Sequence, residues 1–124
     1  MDMNQENQNM AIALSTVANG NTEIAKTIIQ QIRMMDPRAL MAWGAKDCTA
    51  IPEGKQEIGF VLGGVYFKVN GLKHRGYVRI FLMPDDTYTI QIFRIRKYEI
   101  KGLQTVENVY CDMLMDVIDG LIER

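Results

Sequence analysis

The sequence predicts one α+β domain: a three- to four-stranded, mostly antiparallel sheet flanked by an N-terminal and a C-terminal amphipathic helix. Three observations predict it. Between Gly76 and Lys97 two strand-like runs are joined by Pro84-Asp85-Asp86. Before them Ile24, Ile28, Ile32 and Met35 recur at helical spacing, with Ile29 widening the stripe. After them Val106, Val109, Tyr110, Met113, Leu114, Val117, Ile118, Leu121 and Ile122 form a second, broader apolar stripe.

The hairpin is the strongest of these signals. Val78, Ile80 and Leu82 alternate with Tyr77, Arg79, Phe81 and Met83, and Tyr88, Ile90 and Ile92 alternate with Thr89, Gln91 and Phe93. Both runs are rich in β-branched and aromatic residues, which suit a pleated, half-buried surface. Between them Pro84 fixes φ and removes a ladder donor, while two aspartates offer side-chain oxygens to nearby backbone N–H groups.

Taken in order, residues 1–20 read as a flexible or partly helical arm, polar and amide-rich at its start, and residues 21–124 as the folded unit. Asn21 or Thr22 suits the N-cap of the first helix, and Pro37 stops it at or before Asp36. Residues 38–44 suit helix by propensity, and Pro37, Gly44 and the shortness of the segment favour a first strand instead, bearing the single tryptophan, Trp43. Residues 45–57, with Pro52 and Gly54, read as a loop. Gly59 to Val69 reads as a strand bent at Gly63-Gly64. Asn70-Gly71 is a turn signal opening the basic loop Asn70 to Gly76. Tyr98 to Thr105 reads as a connector, with room for a short extra strand, into the final helix, whose polar side carries Glu107, Asp112, Asp116, Asp119 and Glu123.

Composition narrows the function classes. The chain has 124 residues, 48% hydrophobic and 23% charged, with a formal net charge of −1, which are globular values. No apolar run approaches the ~20 residues that span a bilayer, and the start, MDMNQENQNM, has no signal-peptide pattern, so a cytoplasmic protein is expected. Cys48 and Cys111 fit neither a metal spacing nor a disulfide framework and read as free thiols acting as small hydrophobes. No phosphate loop, serine elbow or zinc spacing occurs, so no catalytic residue, cofactor or metal is expected.

Charge is unevenly spread. Ile51 to Lys101 holds nine Lys or Arg against five Asp or Glu, and Gly102 to Arg124 holds five acids and one base. If both helices cover one sheet face, the other presents Tyr66, Lys68, Tyr77, Arg79, Phe81, Gln91 and Phe93, with Lys73 and Arg75 in the loop at one end. Arg94 and Arg96 share the parity of Ile90 and Ile92 and extend the core-side row, where ion pairing with Glu107, Asp112 or Asp116 is expected and a bidentate grip on phosphate or carboxylate, together with Lys73 and Arg75, is the binding alternative. An aromatic and cationic sheet face suits a protein partner or a second copy of the chain. The alternative is single-stranded nucleic acid, whose bases stack on such rings, although the near-neutral total charge weighs against it.

Four stretches carry a resemblance: Met41-Ala42-Trp43-Gly44-Ala45-Lys46, Tyr77-Val78-Arg79-Ile80, Asp86 to Ile90 running into Phe93-Arg94-Ile95-Arg96, and Val109-Tyr110-Cys111-Asp112-Met113-Leu114. The chain resembles a family of small uncharacterised proteins encoded in bacteriophages, prophages and conjugative elements. They share an MTGAK, DTYxVxFxRxR, VYxDML pattern in this order, from which this chain departs at Ala42-Trp43. The resemblance runs from about residue 29 to the C-terminus. It implies a mobile-element setting and an accessory role, and it supplies no biochemical activity.

Overall fold

The computed structural model describes residues 22–123, so the arm expected over residues 1–20 lies outside them. Helix α1 (Glu23–Met35) opens this region. Then come a short helix α2 (Ala39–Ala42), strands β1 (Lys46–Ile51), β2 (Gly54–Gln56), β3 (Gly59–Val61), β4 (Gly63–Asn70), β5 (Arg75–Leu82), β6 (Tyr88–Arg96) and β7 (Glu99–Val109), a 3-10 turn (Cys111–Met113) and helix α3 (Leu114–Ile122). The fold is α+β. Its main sheet is five-stranded and wholly antiparallel, in the order β1-β4-β5-β6-β7, with β2 and β3 paired as a separate small hairpin. Among the described residues no helix is long and apolar enough to cross a membrane.

The central hairpin has the predicted parity. Val78 pairs with Ile92, Ile80 with Ile90 and Leu82 with Tyr88, while Tyr77 pairs with Phe93 and Arg79 with Gln91 on the other side. The connection closes as the aspartates suggest: Asp85 Oδ1 accepts from the Thr87 hydroxyl at 2.7 Å and the Thr87 N–H at 3.1 Å. These two donors hold the Asp85 carboxyl below the usual range.

Helices α1 and α3 lie on the same sheet face. Ile28, Ile32, Leu114, Ile118 and Ile122 enclose Val65, Phe67, Val78, Ile80, Ile90 and Ile92 in one dry cluster. Each such side chain contributes about 1.5–3 kcal/mol before the ordering entropy is subtracted.

Four expectations are corrected. Residues 38–44 form helix α2 rather than a strand: Ala39, Leu40 and Trp43 are buried at helical spacing. Gly44, at φ +66°, then ends the turn as a left-handed cap, with its N–H donating to Met41 O and the Ala45 N–H to Leu40 O. The loop expected over 45–57 contains β1 and β2. The connector is the eleven-residue strand β7, so Val106 and Val109 are strand residues and helix α3 begins only at Leu114. The sheet therefore has five strands and not three or four.

Both edge strands of the sheet are bulged. Asp47 and Cys48 stand opposite Phe67 in β1, and two residues of β7 oppose one of β6 both at Gly102-Leu103 and at Glu107-Asn108. Asp47, Gly102 and Asn108 all have φ near +60°. Such bulges twist an edge away from runaway pairing.

The basic loop is docked, not free. The Lys73 and His74 N–H groups both donate to the Ile122 carbonyl, and Lys73 Nζ donates to Gly120 O at 3.0 Å. These contacts satisfy carbonyls at the end of α3, where the helix dipole favours a cation.

His74 is buried, with Nε2 3.2 Å from the Tyr77 carbonyl oxygen. Burial pushes its pKa below the usual 6.5, the Tyr77 carbonyl opposes this, and the nearby Arg94 charge adds to it. The folded chain therefore holds a neutral ring where the unfolded chain takes up a proton. This contribution is complete above pH 6.5 and shrinks as the pH falls below it, until the folded ring itself titrates. The urea midpoint should thus drop further between pH 7.5 and 5.5 for the natural chain than for His74→Gln. Equal drops would assign the loss to carboxylates instead.

Candidate functional site

On the sheet face away from the helices, β1, β4, β5, β6 and β7 enclose a cleft of about 450 Å³. Strand parity places its floor. Tyr66 and Lys68 come from β4, Tyr77 and Arg79 from β5, and Phe93 and Ile95 from β6. Asp47 and Thr49 form one wall at the bulged start of β1, and Ile100 of β7 the other.

The Tyr77 and Phe93 rings stack with centroids 5.4 Å apart and planes 13° from parallel. Lys68 Nζ lies 5.7 Å from the Tyr77 centroid and 3.5 Å from Asp47 Oδ2. The Arg79 guanidinium carbon lies 4.5 Å from the Phe93 centroid and 5.8 Å from that of Phe81. A cation over a ring face gains about 0.5–2 kcal/mol, more as water is excluded. Arg79 Nε is buried and has no hydrogen-bond partner among the described residues. Desolvation lowers the Arg79 pKa, and the Glu57 carboxylate partly offsets this.

No protein-family model, curated protein or solved structure matches the chain.

Five of the residues predicted for the exposed face, Tyr66, Lys68, Tyr77, Arg79 and Phe93, meet in this cleft. The face is not uniformly open, however. Phe81 is 1% exposed and Gln91 3% exposed. Phe81 packs with Ile51, Val61, Ile58 and Met83, because the β2–β3 hairpin and its turn fold over that half of the sheet. Gln91 Nε2 donates to Thr105 Oγ1 at 3.3 Å, and a narrower recess lies between Gln91, Arg79 and the Glu57-Ile58 turn. Phe93 is 5% exposed, roofed by Tyr77 and Arg79. Two rings, Tyr66 and Tyr77, remain within reach of a ligand.

The other predicted cations lie elsewhere. Lys73 is engaged with α3, and Arg75 is exposed at the start of β5. Arg94 and Arg96 are exposed, and among the described residues neither forms the expected ion pair with Glu107, Asp112 or Asp116. Those acids sit at the opposite end of the β6–β7 ladder.

Asp47, Thr49, Ile95 and Ile100 are site residues that sequence reasoning missed. The shared parity of Phe93 and Ile95 is the one signal that pointed to any of them.

The cysteines are both free. Cys48 is buried, and desolvation pushes its thiol up to about 12, which leaves it an inert hydrophobe. Cys111 is exposed, contrary to its expected core role. Among the described residues no group of three or more His, Cys, Asp or Glu could hold a metal ion.

Proposed function

We propose that the protein is a non-catalytic binding module, acting in the cytoplasm, whose sheet cleft receives a segment of another protein. The observation that carries this reading is Arg79, a guanidinium laid on the Phe93 ring in the cleft, whose buried Nε has no hydrogen-bond partner among the described residues. Buried donors are normally satisfied, and an Arg fork is matched by a carboxylate. Tyr66, Tyr77, Ile95 and Ile100 surround it with apolar surface, so a segment with a carboxylate beside an aromatic or aliphatic side chain fits best. An accessory role in a mobile element, the setting implied by the family resemblance, suits a module of this kind.

The nucleic-acid reading has less support. It relied on the aromatic face together with Lys73, Arg75, Arg94 and Arg96: Phe81 and Phe93 are buried, Lys73 is held by α3, and Arg75, Arg94 and Arg96 are exposed outside the cleft lining.

The test is chemical-shift mapping of isotope-labelled protein with a short peptide of alternating Glu and Tyr, and separately with a short oligothymidine. The peptide should shift Tyr66, Tyr77 and Ile100 together, and Arg79→Gln should weaken that response about tenfold, the loss of one charged hydrogen-bonding partner. Oligothymidine acting on the same residues, with affinity falling steeply with salt, would transfer the site to nucleic acid. A cleft silent to both probes at millimolar concentration would end the binding proposal.

A further inference from the structure

The outer part of the β6–β7 hairpin is uncovered. Every residue from Arg94 to Thr105 is exposed, and apart from Ile95 and Ile100 at the cleft and Thr105 at Gln91 the ribbon has little cover from the body of the domain. A two-stranded ribbon is marginal in water by itself. This one also ends in a two-residue turn whose Lys97 and Tyr98 both have positive φ, and Tyr98 is fully exposed. Ile95 and Ile100 belong to the cleft, which leaves Tyr98 and Leu103 as apolar side chains without cover.

Charge says what suits this surface. From Arg94 to Lys101 the ribbon carries four bases and one acid, Glu99, which pairs with Lys101 of the same ribbon. From Gly102 to Glu123 there are five acids and no base. Of these, Asp112 and Asp116 are exposed and adjoin in sequence Tyr110 and Met113, themselves 59% and 43% exposed, whereas Glu107 lines a recess with Asp85 and Thr89 on the other sheet face. The 3-10 turn after β7 and the first turn of α3, the foot of the strand, thus carry two acids beside exposed apolar side chains, the complement in charge of the basic tip with its exposed Tyr98. Among the described residues Arg94, Arg96, Glu107, Asp112 and Asp116 have no ion-pair partner in their own chain.

Tip and foot lie at opposite ends of β7, about 30 Å apart at the rise of a strand, so one molecule cannot bring them together. Two molecules can. β7 is an edge strand, and between its bulges it offers the short straight stretch Gln104 to Val106. Two such edges running antiparallel about a two-fold axis place each tip on the other copy's foot, and both contacts close at once.

We infer that the protein forms a symmetric homodimer in which the basic β6–β7 tip of each copy docks on the acidic β7–α3 foot of the other. The bulges confine pairing to a short stretch, which permits a closed dimer and opposes open-ended stacking.

The experiment is a charge exchange read by light scattering after size exclusion, in reductant because Cys111 lies in the foot. One variant carries R94E and R96E, and the second carries D112K and D116K. All four positions are exposed, and circular dichroism checks that both variants fold.

The natural chain at about 100 µM should run at twice its 14.2 kDa mass. Each variant alone should dimerise at least about tenfold more weakly, and an equimolar mixture should recover natural affinity to within about threefold, since both contacts are restored with signs exchanged. A natural chain that stays monomeric overturns the inference. So does a dimer indifferent to both reversals, or a mixture of folded variants that does not recover.

Discussion

Trp43→Ala should cost about 3–5 kcal/mol, a large share of the ~5–15 kcal/mol that a domain of this size has in total. Trp43 is completely buried and is the largest side chain in the core. It also ties three parts of the chain together. Its indole N–H donates to Asp119 Oδ1 at 2.9 Å, which fixes α2 against α3, and its carbonyl accepts the Asn70 N–H at 2.8 Å at the end of β4. Removing the ring opens a cavity between elements far apart in sequence and takes the indole donor from a partly buried carboxylate. Trp43→Phe keeps most of the volume and loses the hydrogen bond, so it should fall between the two. Urea unfolding followed by circular dichroism measures both, since the fluorescent reporter is itself removed. A loss below about 1.5 kcal/mol for Trp43→Ala would mean that the site collapses and that the tie is weak.

Gly64→Ala should also be damaging, for a different reason. Gly64 pairs with Ile51 on one side and Phe81 on the other. A methyl group there would run into the Ile80 carbonyl oxygen, with Phe81 Cα at 3.1 Å and Ile80 C at 3.2 Å. These are backbone atoms of the neighbouring central strand and cannot swing aside. The strands would have to part, at a cost of about 1–3 kcal/mol or more, and Phe81 beneath the β2–β3 hairpin would loosen first. Gly120→Ala is the contrasting substitution. Nothing lies within 4 Å of the added carbon, and the residue is inside α3, so a gain of about 0.5–1 kcal/mol is expected from helix propensity alone. The two unfolding midpoints should move in opposite directions, and a shared direction would contradict the packing described around Gly64.

The sequence by itself determined the central hairpin, its turn, the first helix with its stop before Pro37, and the sheet face that meets the helices. In each of these the local period is unbroken, and every residue shows its environment through its own position in the pattern. It also assembled most of the cleft, because Tyr66, Lys68, Tyr77, Arg79 and Phe93 share one parity across three adjacent strands.

The tertiary structure alone decided the edges and the covers. In β1 and β7 the left-handed residues Asp47, Gly102 and Asn108 insert an extra residue and throw the period-2 alternation out of phase. Val106 and Val109 therefore imitate a helical stripe running into α3, and β7 reads as a connector. Which of the aromatic residues stay accessible was equally hidden. Phe81 has the sequence neighbourhood of an exposed ring and is buried because Ile58, on the β2–β3 turn, folds over it from more than twenty residues away. Burial of that kind is a property of which segments meet, and no local pattern in either segment encodes the meeting.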